Sequence, residues 1–234
     1  GENLIVNGSF EDEPTTTLAT YEYVTSADTV PGWTFVASSS GIPSVGNAVP
    51  TWYKSGAPIP DGNRIAFVQS SNSKKSISQT VNIAEAGVYE LSFWYAARST
   101  HKGQSVTVSV GEQVLFQDGN NQQSDFVKVS KYLFYDEAPG EQTLKVTGAV
   151  SLVANFMAAK YLFYAEAPGE QTLTVACTSS SDRASVFDDF RLVRIGDTLT
   201  HTFTAGDGGS VSPSSVGALP GEQLTVTATP DADY

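Results

Sequence analysis

The chain has 234 residues, 40% hydrophobic and 16% charged, which is enough apolar material for a core and excludes a disordered tail. It carries 13 Lys and Arg against 25 Asp and Glu, a formal charge of −12. This balance disfavours nucleic acid and anionic membranes as partners, because both bind mainly through Lys and Arg. The single cysteine excludes an intrachain disulfide and a cysteine-built zinc site. No apolar run approaches the roughly 20 residues that span a bilayer, so membrane insertion is not expected.

Short strand-like segments separated by turn residues follow one another along the chain and predict an all-β sandwich. They cover residues 4–7, 21–25, 33–37, 64–69, 77–83, 88–98, 106–110, 112–116 and 186–195. The segment 88–98 has the clearest alternation. It places Tyr89, Leu91, Phe93 and Tyr95 on a core face, and Trp94 lies on the opposite, available face.

A near-identical sequence occurs twice in the second half of the chain. KYLFYDEAPGEQTLKV at 131–146 and KYLFYAEAPGEQTLTV at 160–175 differ at two of sixteen positions and are offset by 29 residues. Each copy is expected to form a hairpin around a type II turn at Pro139-Gly140 or Pro168-Gly169. The second hairpin would extend a sheet or project from it. In the second copy, Cys177 follows the inward parity of the strand and is expected to be a buried apolar residue.

The residues after Gly196 differ in composition from the rest of the chain. This segment has short Thr- and Val-rich strands, a Gly-rich turn at 206–209 and a third Pro-Gly-Glu-Gln turn at 220–223. We therefore divide the chain into a sandwich at 1–196 and a small, truncated β segment at 197–234. A segment of this size without metal or disulfide is expected to be marginal alone.

Five motifs in order resemble the galactose-binding-like jelly-roll superfamily. They are 3–11 (NLIVNGSFE), 31–33 (PGW), 77–81 (ISQTV), 87–93 (GVYELSF) and 187–190 (FDDF). The superfamily includes carbohydrate-binding modules of bacterial glycan-degrading enzymes and a group of plant cell-wall proteins with a counterpart of Asp61-Gly62-Asn63-Arg64. The resemblance implies a jelly-roll β-sandwich. The tail from residue 198 resembles the start of a β-grasp-like internalin B-repeat of bacterial surface proteins.

Glycan binding needs flat aromatic faces beside hydrogen-bonding groups. Trp94 and Arg98 share the outer side of one predicted strand and are the first candidate pair; the alternative is that a loop or the extra hairpin covers Trp94. Trp52 and Tyr53 lie in a Gly- and Pro-rich loop and are the second candidates, unless they fold back as loop anchors. Trp33 is assigned to the core.

The resemblance also implies a structural calcium ion between the first and last strands. Glu11 matches the carboxylate after the first strand, and Asp188 or Asp189 matches the one in the last strand. Calcium binds several oxygens at about 2.3–2.6 Å and would relieve the repulsion between these carboxylates. The alternative is that Asp188 and Asp189 lie in a bulge with solvated or Arg191-paired charges.

No hydrolase elbow, metalloprotease motif or phosphate-binding glycine loop occurs, and the chain has two histidines. We therefore expect a non-catalytic carbohydrate-binding module of a secreted or cell-surface bacterial protein, within a larger chain such as a glycan-degrading enzyme. Its partner would be a polysaccharide or glycoprotein glycan, and the module is expected to be monomeric. The alternative is a structural or adhesive spacer that makes protein contacts.

Overall fold

The computed structural model describes residues 1–12, 23–24, 29–36, 45–48, 58–135, 140–148, 161–165, 167–197, 199–218 and 223–231. These residues form strands and connecting segments, with no helix among them. None of the described structure therefore offers a helix long and apolar enough to cross a membrane.

The strands are numbered in chain order. They are β1 (Thr34–Val36), β2 (Val45–Ala48), β3 (Ile65–Ser70), β4 (Lys75–Ile83), β5 (Gly87–Ala97), β6 (Gln104–Val110), β7 (Gln113–Asn121), β8 (Val127–Tyr135), β9 (Gly140–Gly148), β10 (Tyr161–Ala165), β11 (Gly169–Thr178), β12 (Arg183–Gly196), β13 (Leu199–Thr202), β14 (Gly209–Ser212), β15 (Ser215–Ala218) and β16 (Gln223–Pro230).

Two five-stranded sheets form the predicted all-β sandwich. Sheet I has the order β1-β4-β11-β6-β7, and sheet II has the order β2-β3-β12-β5-β8. Strands distant in sequence are neighbours in both sheets: β11 pairs antiparallel with β4 and with β6, and β12 pairs antiparallel with β3. The predicted turn at Gly111 joins β6 and β7, and this glycine has a φ of 57°.

Strict alternation explains why sheet I has one core face. In β4, Ile77, Val81 and Ile83 are buried while the residues between them are half-buried or exposed. Strand β6 repeats the pattern with valines inward and Ser and Thr outward. Cys177 of β11 is fully buried, as predicted, and burial raises the pKa of its thiol above the usual range.

Aromatic side chains fill the space between the sheets. Phe190 contacts Trp33 with ring centroids 5.3 Å apart and stacks on Phe93 at 5.1 Å. Phe93 of sheet II in turn contacts Phe116 of sheet I at 5.6 Å. Trp33 is 6% exposed, which confirms its predicted place in the core.

The amino-terminal segment departs from the prediction of a first strand at residues 4–7. It forms a turn, and Asn3 alone makes an isolated bridge with Val193. The reason is the close approach of Gly8 to the last long strand: the Phe190 amide donates to the Gly8 carbonyl at 2.9 Å. Trp33 then caps the turn, because its Nε1 donates to the Asn7 carbonyl at 2.9 Å.

The prediction that each repeat copy forms a hairpin is wrong for the described strands. Strands β8 and β11 belong to sheets II and I, while β9 and β10 pair with each other in a third sheet of order β10-β9-β16-β14. The turn prediction fails at Gly169, because this residue begins β11 with a φ of 147° rather than the φ near 80° of a type II turn. Its neighbours along β11 pair with β4 and β6 instead.

The chain divides into two compact units. The first comprises 1–83, 90–132 and 169–193, and the second comprises 84–89, 133–168 and 194–234. In the second unit, β16 pairs parallel with β9, and β13 pairs with β15 in a two-stranded ribbon. The sequence-based division into 1–196 and 197–234 stays a prediction.

Candidate functional site

The predicted pair Trp94 and Arg98 lies at the carboxyl half of β5 and just beyond it. Leu91, Phe93 and Tyr95 point into the core and are at most 5% exposed, as the alternation predicts. Trp94 and Arg98 keep intermediate exposure on the opposite side of the strand. Both side chains are therefore partly accessible.

The outer side of sheet II is not the open surface expected from the sequence. Ala96, on the same side of β5 as Trp94, is fully buried in an outer apolar cluster with Ile65, Phe67, Ala184 and Val186. Three partly buried side chains pack against this cluster: Tyr23, Ile59 and Phe126. The Tyr23 ring meets Phe67 edge-on at 5.6 Å. Small residues of β5 and β12 thus leave room for rings from neighbouring loops.

Polar side chains form a hydrogen-bonded row beside this cluster. The Tyr23 hydroxyl donates to Gln69 Oε1 at 3.0 Å, and Gln69 Nε2 donates to Asp182 Oδ1 at 2.5 Å. His101 Nε2 lies 3.4 Å from Asp182 Oδ2. The backbone brings this row to Arg98, because the His101 amide donates to the Arg98 carbonyl at 2.9 Å. We call Trp94, Arg98 and the row Tyr23-Gln69-Asp182-His101 the outer-face site.

The outer-face site combines the two kinds of group that sugar recognition uses. Partly exposed rings offer apolar surface, and carboxylate, amide, imidazole and guanidinium groups offer donors and acceptors at fixed spacing. The pattern in 88–98 identified Trp94 and Arg98. It could not identify Gln69 and Asp182, which are 113 residues apart in sequence and meet only because β12 pairs with β3.

The second candidate pair, Trp52 and Tyr53, lies outside the described residues. Their predicted role in recognition stays a prediction.

The acidic residues predicted to hold calcium turn toward the 61–64 loop. Glu11 Oε1 accepts the amides of Asn63 at 2.7 Å and Arg64 at 2.6 Å. Gly62, with a φ of 56°, permits this wrapping, because a Cβ there would lie 2.3 Å from the Glu11 Cδ. Asp188 Oδ2 accepts the Asp61 amide at 2.9 Å, so both carboxylates hold the same loop.

Asp188 is fully buried, and its second oxygen accepts the Asp189 amide at 2.7 Å. Burial raises the pKa of Asp188 to about 8, although these amides oppose the shift. Within the described ranges, no three His, Cys, Asp or Glu side chains group so as to hold a metal ion. Backbone amides therefore satisfy these carboxylates here, and the calcium ion stays a prediction.

Comparison with known proteins assigns the class first and the family second. The architecture is an all-β sandwich in which a family model matches residues 3–143. The chain belongs to the DUF642 family, described as a protein of unknown function. The match includes the Asn-Gly-Ser-Phe turn and the 61–64 loop but not the tail, so the likeness of residues 197–234 to an internalin repeat stays a prediction. No curated protein matches the chain.

Several solved structures are similar to the chain at low identity. A sugar-binding protein from Bacteroides thetaiotaomicron, described as putative, is 14% identical, with coverage of 82% of this chain and 100% of that one and a TM-score of 0.46. TmCBM61 in complex with beta-1,4-galactotriose is 16% identical, with coverage of 83% and 99% and a TM-score of 0.42. The CBM22-1 xylan-binding domain of Paenibacillus barcinonensis Xyn10C is 14% identical, with coverage of 81% and 92% and a TM-score of 0.40.

Proposed function

We propose that the protein is a non-catalytic glycan-binding module that binds a polysaccharide or glycoprotein glycan at the outer-face site. The carrying observation is the position of half-buried Trp94 and Arg98 on the side of β5 that carries the outer apolar cluster, beside the Gln69-Asp182-His101 row. Sugar rings have apolar faces that stack on aromatics and hydroxyls that exchange hydrogen bonds with such groups. The chain would carry a larger secreted or cell-surface protein to its glycan.

The net charge supports a neutral or weakly charged ligand rather than a strongly acidic one. A chain of charge −12 repels polyanions at long range, and the site itself contributes Asp182. A shallow face also buries little of its ligand. A dissociation constant of about micromolar to millimolar would be ordinary for such a site.

We expect Trp94→Ala and Arg98→Ala to weaken binding to a glycan found on an array. Loss of the Trp94 ring should weaken binding roughly tenfold, because a well-placed aromatic contact contributes about 1 kcal/mol beyond its area. Affinity gel electrophoresis on the bound polysaccharide measures both variants. Trp94→Phe, which keeps a ring, and Lys74→Ala, which removes an exposed cation elsewhere, are the matched controls.

The same experiment includes Trp52→Ala, because Trp52 and Tyr53 are the second candidates. Unchanged affinity in Trp94→Ala and Arg98→Ala, with loss in Trp52→Ala, would move the site to that loop. An array with no bound glycan would favour the structural or adhesive spacer.

We also propose that a calcium ion binds near Glu11, Asp188 and Asp189, where it would stabilise the fold rather than act in chemistry. The support is that Glu11 and Asp188 hold one loop, and each carboxylate oxygen retains a second lone pair for an ion. The ion would favour the charged form of these carboxyls.

Added calcium should raise the melting temperature of chelator-treated protein, because an ion that binds only the folded state stabilises it. Differential scanning fluorimetry with calcium, magnesium and chelator measures the shift. Glu11→Gln and Asp188→Asn should abolish it, whereas Asp182→Asn, outside the loop, should retain it. An identical melting temperature with calcium and with chelator would remove the proposal.

A further inference from the structure

The two repeat copies do not have equivalent places in the fold. The first half of copy 1 (131–146) lies in β8 of sheet II, and the second half of copy 2 (160–175) lies in β11 of sheet I. The remaining halves are β9 and β10, which pair with each other from Tyr161 opposite Leu144 to Ala165 opposite Gly140. The sandwich therefore uses one half of each copy and leaves one matching half of each outside sheets I and II.

The second half of copy 1 meets the requirements of the β11 position. The inward residues of β11 are Leu173, Val175 and Cys177, all fully buried. At the corresponding positions copy 1 has Leu144, Val146 and Gly148. These residues would supply the same inward face, apart from one side chain.

The outward and leading positions of β11 agree as well. The outward Thr174 is half-buried, so the corresponding Lys145 could extend into solvent. Gly169 begins β11 with a φ of 147°, a conformation that favours glycine, and copy 1 has Gly140 there.

Chain connectivity permits the substitution. Four residues separate Tyr135 of β8 from Gly140, and sheets of a sandwich lie about 10 Å apart, a span that four residues can cross. The 29-residue surplus would then follow the β11 position instead of preceding it. Moving a loop of this length costs little, because loop-closure entropy grows slowly with length.

We propose that residues 140–148 and 169–177 compete for the place between β4 and β6, so that the folded protein has two alternative strand assignments. Copy 2 is preferred because Cys177 fills core space that Gly148 would leave empty. The duplication thus makes the sandwich tolerant of damage to β11 and makes its Cys177 a reporter of which copy is in place.

Leu173→Asp tests the proposal in the full chain, because a buried carboxylate excludes copy 2 from the core. We expect this variant to retain a cooperative thermal transition with copy 1 in the sheet. Leu144→Asp should leave the transition unchanged, and the double variant Leu144→Asp, Leu173→Asp should lose it. Circular dichroism melts of the three variants and the parent chain measure this.

The reaction of Cys177 with a thiol reagent under native conditions is the second measurement. The thiol is buried in the parent chain and should react slowly there and in Leu144→Asp. In folded Leu173→Asp it should react at close to the rate of the denatured chain. Loss of the transition in Leu173→Asp, a protected thiol in that variant, or a folded double variant would each overturn the proposal.

Discussion

Gly8→Ala should abolish folding of the first compact unit or destabilise it by at least about 3 kcal/mol. A Cβ on Gly8 would lie 2.0 Å from the Phe190 carbonyl oxygen, and the atom it meets belongs to the backbone of β12. The hydrogen bond from the Phe190 amide to the Gly8 carbonyl would have to break for the segments to separate. Urea denaturation followed by tryptophan fluorescence measures the loss, because Trp33 reports on this turn.

Gly119→Ala is the matched control for this glycine. A Cβ at Gly119 in β7 meets nothing within 4 Å, so this substitution should change stability by less than about 0.5 kcal/mol. Equal stability of the two variants would contradict the close packing of the amino-terminal turn against β12.

Phe190→Ala should destabilise the sandwich by about 3–5 kcal/mol, because it removes the ring at the centre of the aromatic core. Phe190 is fully buried and contacts Phe10, Trp33, Phe93 and Phe187. The rings around the resulting cavity can collapse only in part, since they are held by separate strands and by the amino-terminal turn. Calorimetry or denaturant unfolding measures the difference.

Two variants calibrate this effect. Phe190→Leu keeps most of the apolar volume and should lose less than half as much stability. Tyr132→Ala removes a ring that is 55% exposed and should be close to neutral. A loss below about 1 kcal/mol in Phe190→Ala would show that the core does not depend on this ring.

Local patterns predicted the strands well where the alternation was regular. The segments 77–83, 88–98 and 106–110 lie within or overlap β4, β5 and β6, and their inward residues are the buried ones. The prediction failed at residues 4–7, because an apolar run does not reveal that Gly8 packs against a strand more than 180 residues later.

The site was predicted in part for the same reason. Trp94 and Arg98 follow from alternation within one strand, whereas the covering of Ala96 by Tyr23 and Phe126 depends on loops distant in sequence. The contact between Gln69 and Asp182 likewise follows from strand pairing.

Composition, charge and period-two alternation were sufficient to establish the all-β class, the inward faces of the main strands and the buried environments of Trp33 and Cys177, because these depend on local side-chain chemistry. Strand pairing was not accessible in this way. The two repeat copies have almost the same residues, yet their halves lie in three sheets. Backbone hydrogen bonding between strands is nearly independent of sequence, so partners distant along the chain decide where each identical segment pairs.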